Sequence, residues 1–330
     1  MIFPFLSQIR GSGRPGGTCD MLDDKLKALW ARISPPQKAA FFGCFLSGYL
    51  VHLYVFTNII PNSDGLSRIF DPQQMTVSGR WFLHFASYFN GFTQMPAVIG
   101  LFSVLFLALA AALAVSLLGI RSRALSALSG ALMAAFPAVG YTFLYLFTAS
   151  AYCFAIFLAV LSVSLARRGR WHWLAGCLLL ACSMGTYQAY VTVAIGLSLL
   201  VIFRETLDPS ASFSATLRLG VRLMLFLAAG AVLYYGILLV FLQVKDLELL
   251  SYLGMDAASS GYPFSRLPGL LLDTYKQVAA FFFLPGSANT FTSGWMAVLD
   301  LAALALGGGC FLLCMGQAVS YTHLRAHETR

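Results

Sequence analysis

Long runs of apolar residues recur along most of this chain and constrain its fold more than any other feature. A helix needs roughly 20 such residues to cross a hydrocarbon core of about 30 Å. Of the 330 residues, 59% are hydrophobic and only 10% are charged, a balance that no soluble fold could bury. We therefore predict an all-α integral membrane protein, a polytopic bundle of about eight spans. The predicted spans are 39–60, 97–119, 124–146, 149–166, 172–184, 186–203, 221–243 and 294–316.

The positions of Lys and Arg predict how these spans are oriented. Residues 172–203 could form two short spans or one long helix. With two spans, fourteen Lys and Arg fall on one side and five on the other, leaving aside the last twelve residues; with one span the division is eleven to eight. Cytoplasmic loops carry the excess of positive charge. We therefore predict two spans here, a cytoplasmic N-terminus, and outer segments at 61–96 and 244–293 with tight outer turns near 147–149 and 185.

Charge and cysteine content exclude two other classes of function. The net charge of +8 does not indicate a nucleic-acid-binding protein, because the Lys and Arg are scattered between apolar runs. Most cysteines also lie inside apolar runs, without the spacing of metal ligands, and we interpret them as small apolar side chains. The spacing of residues predicts no metal site.

The two ends of the chain differ from the apolar middle. We interpret residues 1–38 as a cytoplasmic segment and residues 39–316 as the membrane domain. Residues 1–20 lack periodicity and Met21 opens a better start, so an upstream mis-start is one interpretation of the first residues. An abrupt change of composition leads us to expect that residues 317–330 are a non-native tail and that the domain is truncated at its C-terminus.

The first outer segment contains aromatic residues at helical spacing. After Trp81, phenylalanines follow at 82, 85, 89 and 92, which predicts an amphipathic helix lying in the membrane interface. Such a helix serves either as a simple membrane anchor or as an apolar surface beside a groove for a lipid substrate.

The same segment contains the candidate catalytic residues. Asp64 follows the first span, where a carboxylate can act as a general base or help to bind a divalent cation. Arg80 precedes the aromatic stretch and could bind a phosphate bidentately at headgroup level. A solvated loop acid and a snorkelling arginine are the alternative interpretations. Asp71 is a weaker candidate, since an Asp-Pro pair also begins ordinary turns.

Four short motifs resemble one known family. The sequence contains NSDGL at 62–66, SGRWF at 78–82, FTASAY at 147–152 and SMGTYQAY at 183–190. Together they resemble the bacterial type II glucosyl transferase family of O-antigen-modifying enzymes, which belong to the GT-C class of membrane glycosyltransferases. The resemblance covers roughly residues 40–320, and its motifs fall at the predicted outer ends of the spans.

The resemblance implies a reaction and a set of site residues. Glucose would pass from polyprenyl-phosphate glucose to a hydroxyl of a surface polysaccharide or glycolipid, on the outer face of the bacterial cytoplasmic (inner) membrane. The transfer would need no metal or be assisted by a divalent cation such as Mg²⁺ or Mn²⁺. Asp64 would be the base, and the substrate-binding residues would be Arg80, Asp71, Trp81, His84, Tyr187 and Gln188.

Two alternatives accompany this interpretation. Tyr187 and Gln188 could serve only to satisfy hydrogen bonds where two short helices meet. The rival function is a flippase for lipid-linked sugars or a small-molecule transporter, but the sequence shows neither an internal repeat nor charged residues in mid-span, which such folds use.

Overall fold

The computed structural model describes residues 24–25, 27–28, 30–60, 63–66, 73–208, 210–250, 264–284 and 294–328. Helices dominate these residues; within them the only strand-like element is an isolated bridge between Met75 and Arg80. The helices are α1 (Pro35–Thr57), α2 (Ser63–Leu66), α3 (Leu83–Ala86), α4 (Pro96–Leu118), α5 (Arg123–Ala135), α6 (Pro137–Leu144), α7 (Leu146–Ala166), α8 (Arg170–Thr186), α9 (Val191–Thr206), α10 (Phe213–Lys245), α11 (Leu267–Phe283) and α12 (Gly294–Glu328).

Seven helices in the described part of the chain are long and apolar enough to cross a membrane. They are Pro35–Thr57, Pro96–Leu118, Arg123–Leu144, Leu146–Ala166, Gln188–Thr206, Phe213–Lys245 and Ala297–Gly316. The chain is thus a polytopic helical membrane protein. The remaining predicted span, 172–184, corresponds to α8, whose 17 residues lie at the short limit for a crossing. A total of eight spans stays a prediction.

Proline and polar caps explain where several helices begin. Before α1, the Ser34 hydroxyl accepts a hydrogen bond from the Gln37 backbone N–H (3.4 Å), and the Gln37 side chain accepts one from Ser34 N–H (2.9 Å). Pro137 interrupts the predicted span 124–146, because proline lacks an N–H and fits the first turn of a new helix. The span is therefore built from α5 and α6.

The helix break predicted near residue 185 is confirmed. After α8 ends at Thr186, Tyr187 is extended with φ −158° and ψ 120°. A single 3-10 turn at Gln188–Tyr190 then leads directly into α9. Two helices, rather than one long helix, occupy residues 170–206.

The helices pack around two large apolar clusters and a small third one. One large cluster joins α1 and α4 to α7, and the other joins α4 and α7 to α10 together with Trp81. The small cluster joins α3 and α7. Helices α1 and α5 approach closely at Gly43 and Gly130, which have no side chains. A Cβ atom at Gly43 would collide with the carbonyl of Ala127, and one at Gly130 would collide with that of Ala40. Small residues at such contacts are typical of helix association in membranes.

The aromatic stretch after Trp81 is helical but not one helix. Helix α3 is followed by a 3-10 turn at Ser87–Asn90, which ends at Gly91 with φ 59°. Phe85 and Tyr88 are exposed on one side, whereas Leu83 is buried on the other. A single amphipathic helix in the membrane interface stays a prediction, since the structure has two short helical pieces here.

Candidate active site

A cavity of about 530 Å³ opens where the segment between α1 and α4, which the sequence predicts to be the first outer segment, meets the adjacent ends of α6 to α9. Tyrosines form much of its lining. The lining residues are Asp64, Gln73, Met75, Ser78, Arg80, Leu83, Tyr141, Thr142, Tyr145, Phe147, Thr148, Tyr152, Tyr187, Tyr190 and Leu250. The cavity therefore contains two of the predicted charged residues and one of the predicted aromatic residues.

A tight turn places Arg80 at this cavity. The segment 76–78 forms a 3-10 turn, and Gly79 follows in the left-handed conformation with φ 78°, which glycine adopts without steric cost. The chain then reverses, so that the backbone N–H of Arg80 donates to the carbonyl of Met75 at 3.1 Å.

The guanidinium of Arg80 has partial protein contacts and an unsatisfied donor. Its Nη1 donates to the hydroxyl of Tyr152 at 3.0 Å, and its Cζ lies 4.6 Å from the ring centroid of Tyr187. Its Nε is buried and has no hydrogen-bond partner within the described residues. No carboxylate of the described chain forms an ion pair with it. The residue as a whole is only partly buried and lines the cavity, so its Nη donors can reach an anionic ligand there.

Contacts from three sides fix the turn behind Arg80. The Gln188 side-chain amide donates to the carbonyl of Ser78 at 2.8 Å, and the Tyr234 hydroxyl of α10 donates to that of Gly79 at 3.1 Å. The backbone N–H of Phe82 donates to the carbonyl of Gly185 at 2.7 Å. Gln188 is absent from the cavity lining, so in this structure it supports the turn that carries Arg80.

Trp81 lies in the apolar core, outside the cavity lining. It is 6% exposed and stacks on Phe241 of α10 with ring centroids 5.7 Å apart. A Cβ atom on Gly185 would lie 2.6 Å from Cε2 of Trp81, so only glycine permits this contact. Trp81 therefore attaches the segment to α8 and α10.

His84 also lies outside the cavity lining, in an aromatic group of its own. Its ring stacks on Phe92 with centroids 5.0 Å apart and contacts the edges of Phe85 and Tyr88, each at 5.6 Å. These contacts lie beside the exposed aromatic surface of the segment.

Of the two candidate acids, the structure describes only Asp64. Asp64 is exposed in α2 and lines the cavity. Asp71 lies outside the described residues. Among those residues, no three His, Cys, Asp or Glu side chains group in a way that could hold a metal ion.

A tyrosine cluster was not identified from the sequence as a site. Tyr152 stacks on Tyr187 with centroids 5.2 Å apart, and Tyr190 contacts both rings edge-on at 5.9 and 5.5 Å. The signal was available, because Tyr152 ends the FTASAY motif and Tyr187 and Tyr190 lie in SMGTYQAY. Ser150, which also belongs to the FTASAY motif, is fully buried and does not line the cavity.

Comparison with known proteins identifies a family. Residues 53–319 match the family described as Glucosyl transferase GtrII. No curated protein and no solved structure matches the chain significantly. The matched range contains the whole cavity and every helix from α2 to α11.

Proposed function

Because this chain belongs to the glucosyl transferase GtrII family, we propose that it moves glucose from a polyprenyl-phosphate donor to a hydroxyl of a cell-surface polysaccharide or glycolipid. The reaction takes place on the outer face of a bacterial inner membrane. Membership in the family establishes a glucosyltransferase; the donor, the acceptor and the side of the membrane are our proposal.

The main support for this proposal is the environment of the Arg80 guanidinium. Its guanidinium lies at the cavity between Tyr152 and Tyr187, with its Nε buried and without a partner in the described chain. A snorkelling arginine would instead extend all its donors to water. A phosphate oxygen accepts strong, short hydrogen bonds from guanidinium groups. Arg80 therefore binds the donor phosphate.

The tyrosines beside Arg80 suit a sugar attached to that phosphate. Tyr152, Tyr187 and Tyr190 bring three aromatic rings and three hydroxyl groups to one side of the cavity. A tyrosine hydroxyl both donates and accepts hydrogen bonds, as the hydroxyls of a sugar require. Aromatic sides with a few polar groups are typical of small-ligand sites.

Asp64 supplies the base at the exposed edge of the cavity. Its carboxylate takes the proton from the acceptor hydroxyl as the acceptor oxygen forms a bond to C1 of glucose. The bond between C1 and the phosphate oxygen breaks at the same time, and polyprenyl phosphate leaves. Arg80 stabilises the charge that develops on this leaving phosphate.

The apolar surface of the first outer segment suits the polyprenyl chain. Phe85 and Tyr88 are 47% and 64% exposed, and Phe89 packs on Phe106 and Phe154 with centroids 5.0 and 5.1 Å apart. These rings extend from the segment that carries Arg80 toward α4 and α7. A lipid chain lying on them would keep its phosphate near Arg80.

The distribution of positive charge supports the outer face. The cavity lies at the ends of α6 to α9 opposite to Arg167, Arg170 and Arg204. By the positive-inside rule those arginines are cytoplasmic, so the cavity faces outward.

The test uses membranes that contain the protein, labelled polyprenyl-phosphate glucose and the host's surface glycan. Wild type should transfer label, and Asp64→Asn should lower transfer by about 100-fold or more, as expected for loss of a general base. The matched control is Asp273→Asn, because Asp273 is also predicted to lie outside and pairs only with exposed Lys276. The control should retain wild-type transfer.

Other outcomes contradict separate parts of the proposal. Equal transfer by wild type and Asp64→Asn would remove Asp64 from the mechanism. If inserted, folded wild type transfers no label, the proposed donor is wrong, and uptake of the lipid-linked sugar into vesicles would then test the flippase alternative.

A further inference from the structure

A second groove of about 770 Å³ lies between α8 and α10, at the end of α8 remote from Arg80. Three arginines line it, Arg170, Arg218 and Arg222, and no acidic residue does. With 1.5 Å of rise per residue, the length of α8 separates it from the cavity by about 25 Å. It is therefore distinct from the candidate active site.

The remainder of the groove is apolar and lies on the exposed surface of the helix bundle. Leu174, Leu217, Val221 and Leu225 are 46%, 55%, 43% and 54% exposed, and Trp173 lies among them. The groove thus combines a cationic end with an apolar surface wide enough for hydrocarbon chains.

The guanidinium groups are oriented but not neutralised. The Nε of Arg222 donates to the carbonyl of Ala166 at 2.8 Å, and the Nε of Arg218 donates to that of Ser214 at 3.1 Å. Within the described residues, the Nη atoms of these two arginines make no hydrogen bond or ion pair, and Arg170 makes neither. Helix α8 also begins here, so the positive end of its helix dipole adds to the charge.

We propose that this groove binds an anionic phospholipid of the cytoplasmic leaflet, with its phosphate at Arg170, Arg218 and Arg222 and its acyl chains along α8 and α10. Charge complementarity selects this occupant, because basic pockets between membrane helices on the cytoplasmic side recognise anionic headgroups. The positive-inside rule places these arginines on that side. The site does not depend on the glucosyl transfer proposed above.

The experiment measures lipid binding by the full chain. Purified protein is titrated with phosphatidylglycerol or phosphatidylcholine in detergent, and bound lipid is counted by native mass spectrometry. Phosphatidylglycerol should bind more tightly than phosphatidylcholine, and the double variant Arg170→Gln with Arg218→Gln should weaken its binding by on the order of tenfold or more. This pair leaves the contact between Arg222 and Ala166 intact.

A charge-matched control and a positional probe complete the test. The pair Arg32→Gln with Arg123→Gln removes the same charge from exposed positions outside the groove and should leave binding within about twofold of wild type. A photoreactive phosphatidylglycerol should label peptides of α8 and α10. Equal binding of the two lipids, equal weakening by both pairs, or labelling elsewhere would each overturn the proposal.

Discussion

The guanidinium of Arg80 lies over the ring of Tyr187, with Cζ 4.6 Å from the centroid, although the residues are more than 100 positions apart in the chain. Cation–π contacts of this kind contribute about 0.5–2 kcal/mol, depending on desolvation. The contact orients the guanidinium, and no carboxylate of the described residues pairs with it, which suits the phosphate-binding role proposed for Arg80.

Replacing Arg80 by lysine should greatly weaken use of the donor. The ammonium of Arg80→Lys retains the charge but loses the planar guanidinium that stacks on Tyr187 and can bind a phosphate bidentately. Because hydrogen bonds to charged groups contribute about 1.5–3 kcal/mol, we expect kcat/KM for polyprenyl-phosphate glucose to fall by roughly 10- to 100-fold. Arg266→Lys, at an exposed position outside the cavity, should change kcat/KM by less than about twofold.

Replacing Tyr152 by phenylalanine should have a smaller effect. The ring of Tyr152 would still stack on Tyr187, but the hydroxyl would be lost, and with it the hydrogen bond from Arg80 and the proposed contact with the sugar. We expect a fall of about three- to tenfold in kcat/KM, measured with the same donor. A loss as large as that of Arg80→Lys would show that the hydroxyl has a direct role in catalysis.

Two variants should reveal that Gln188 and Tyr234 support the same turn. Gln188→Ala and Tyr234→Phe each remove one hydrogen bond to the backbone of Ser78 or Gly79. Each should raise KM for the donor more than it lowers kcat. Once one support is lost the turn is already displaced, so the double variant should cost less than the sum of the single effects, by about 0.5 kcal/mol or more.

The controls for this double-mutant cycle test whether Gln188 and Tyr234 act by positioning the turn. Tyr235→Phe alters the exposed neighbour of Tyr234 and should leave KM unchanged. Strict additivity of the two single effects would contradict a shared role. A fall in kcat with unchanged KM would instead indicate that Gln188 contacts the reacting groups.

Gly185→Ala should destabilise the protein. The added methyl group would lie 2.6 Å from Cε2 of the buried Trp81 ring, and the hydrogen bond between Phe82 and Gly185 would be disturbed. Overpacking of this kind costs about 1–3 kcal/mol, which thermal unfolding in detergent would detect. Gly196→Ala has open space around the new methyl group and should not lower the unfolding temperature.

The exposed aromatic surface should matter only for long lipid donors. Phe85→Ser removes a 47% exposed ring beside the segment that carries Arg80. Partial loss of the contact of one phenylalanine should raise KM for a long-chain polyprenyl donor by about three- to tenfold, with little change for a short-chain analogue. Trp171→Ser is the control, because Trp171 is 79% exposed at the end of α8 that is remote from the cavity. It should leave KM for both donors unchanged. An equal rise in KM for both donors would argue against a lipid contact at Phe85.

Part of this structure could be predicted from the sequence, because the signals are local. Apolar length located the long helices, and the count of Lys and Arg predicted the break at Tyr187. Pro137, a possible helix breaker inside the predicted span 124–146, does divide it, because α5 ends at Ala135 and α6 begins at Pro137. The motifs identified Arg80 and Tyr187, which line one cavity.

The parts of the site that escaped prediction depend on contacts between distant segments. Tyr234 lies in an apolar run, and nothing near it in sequence indicates that its hydroxyl reaches Gly79, 155 residues away. For Gln188, the sequence left open whether it binds substrate or satisfies hydrogen bonds between two short helices. Its side chain donates to the carbonyl of Ser78, a partner that the sequence near Gln188 does not indicate.

The hydrogen bonds that fix the turn before Arg80 also determine whether the conformational entropy of this turn is lost during folding or during ligand binding. Ordering a backbone residue costs roughly 1–2 kcal/mol of conformational entropy, and here that loss accompanies the folding of α8 to α10 around Ser78 and Gly79. In the proposed reaction, the arriving lipid phosphate would therefore meet a preorganised arginine, and the binding free energy of the lipid would remain available to orient the sugar for attack.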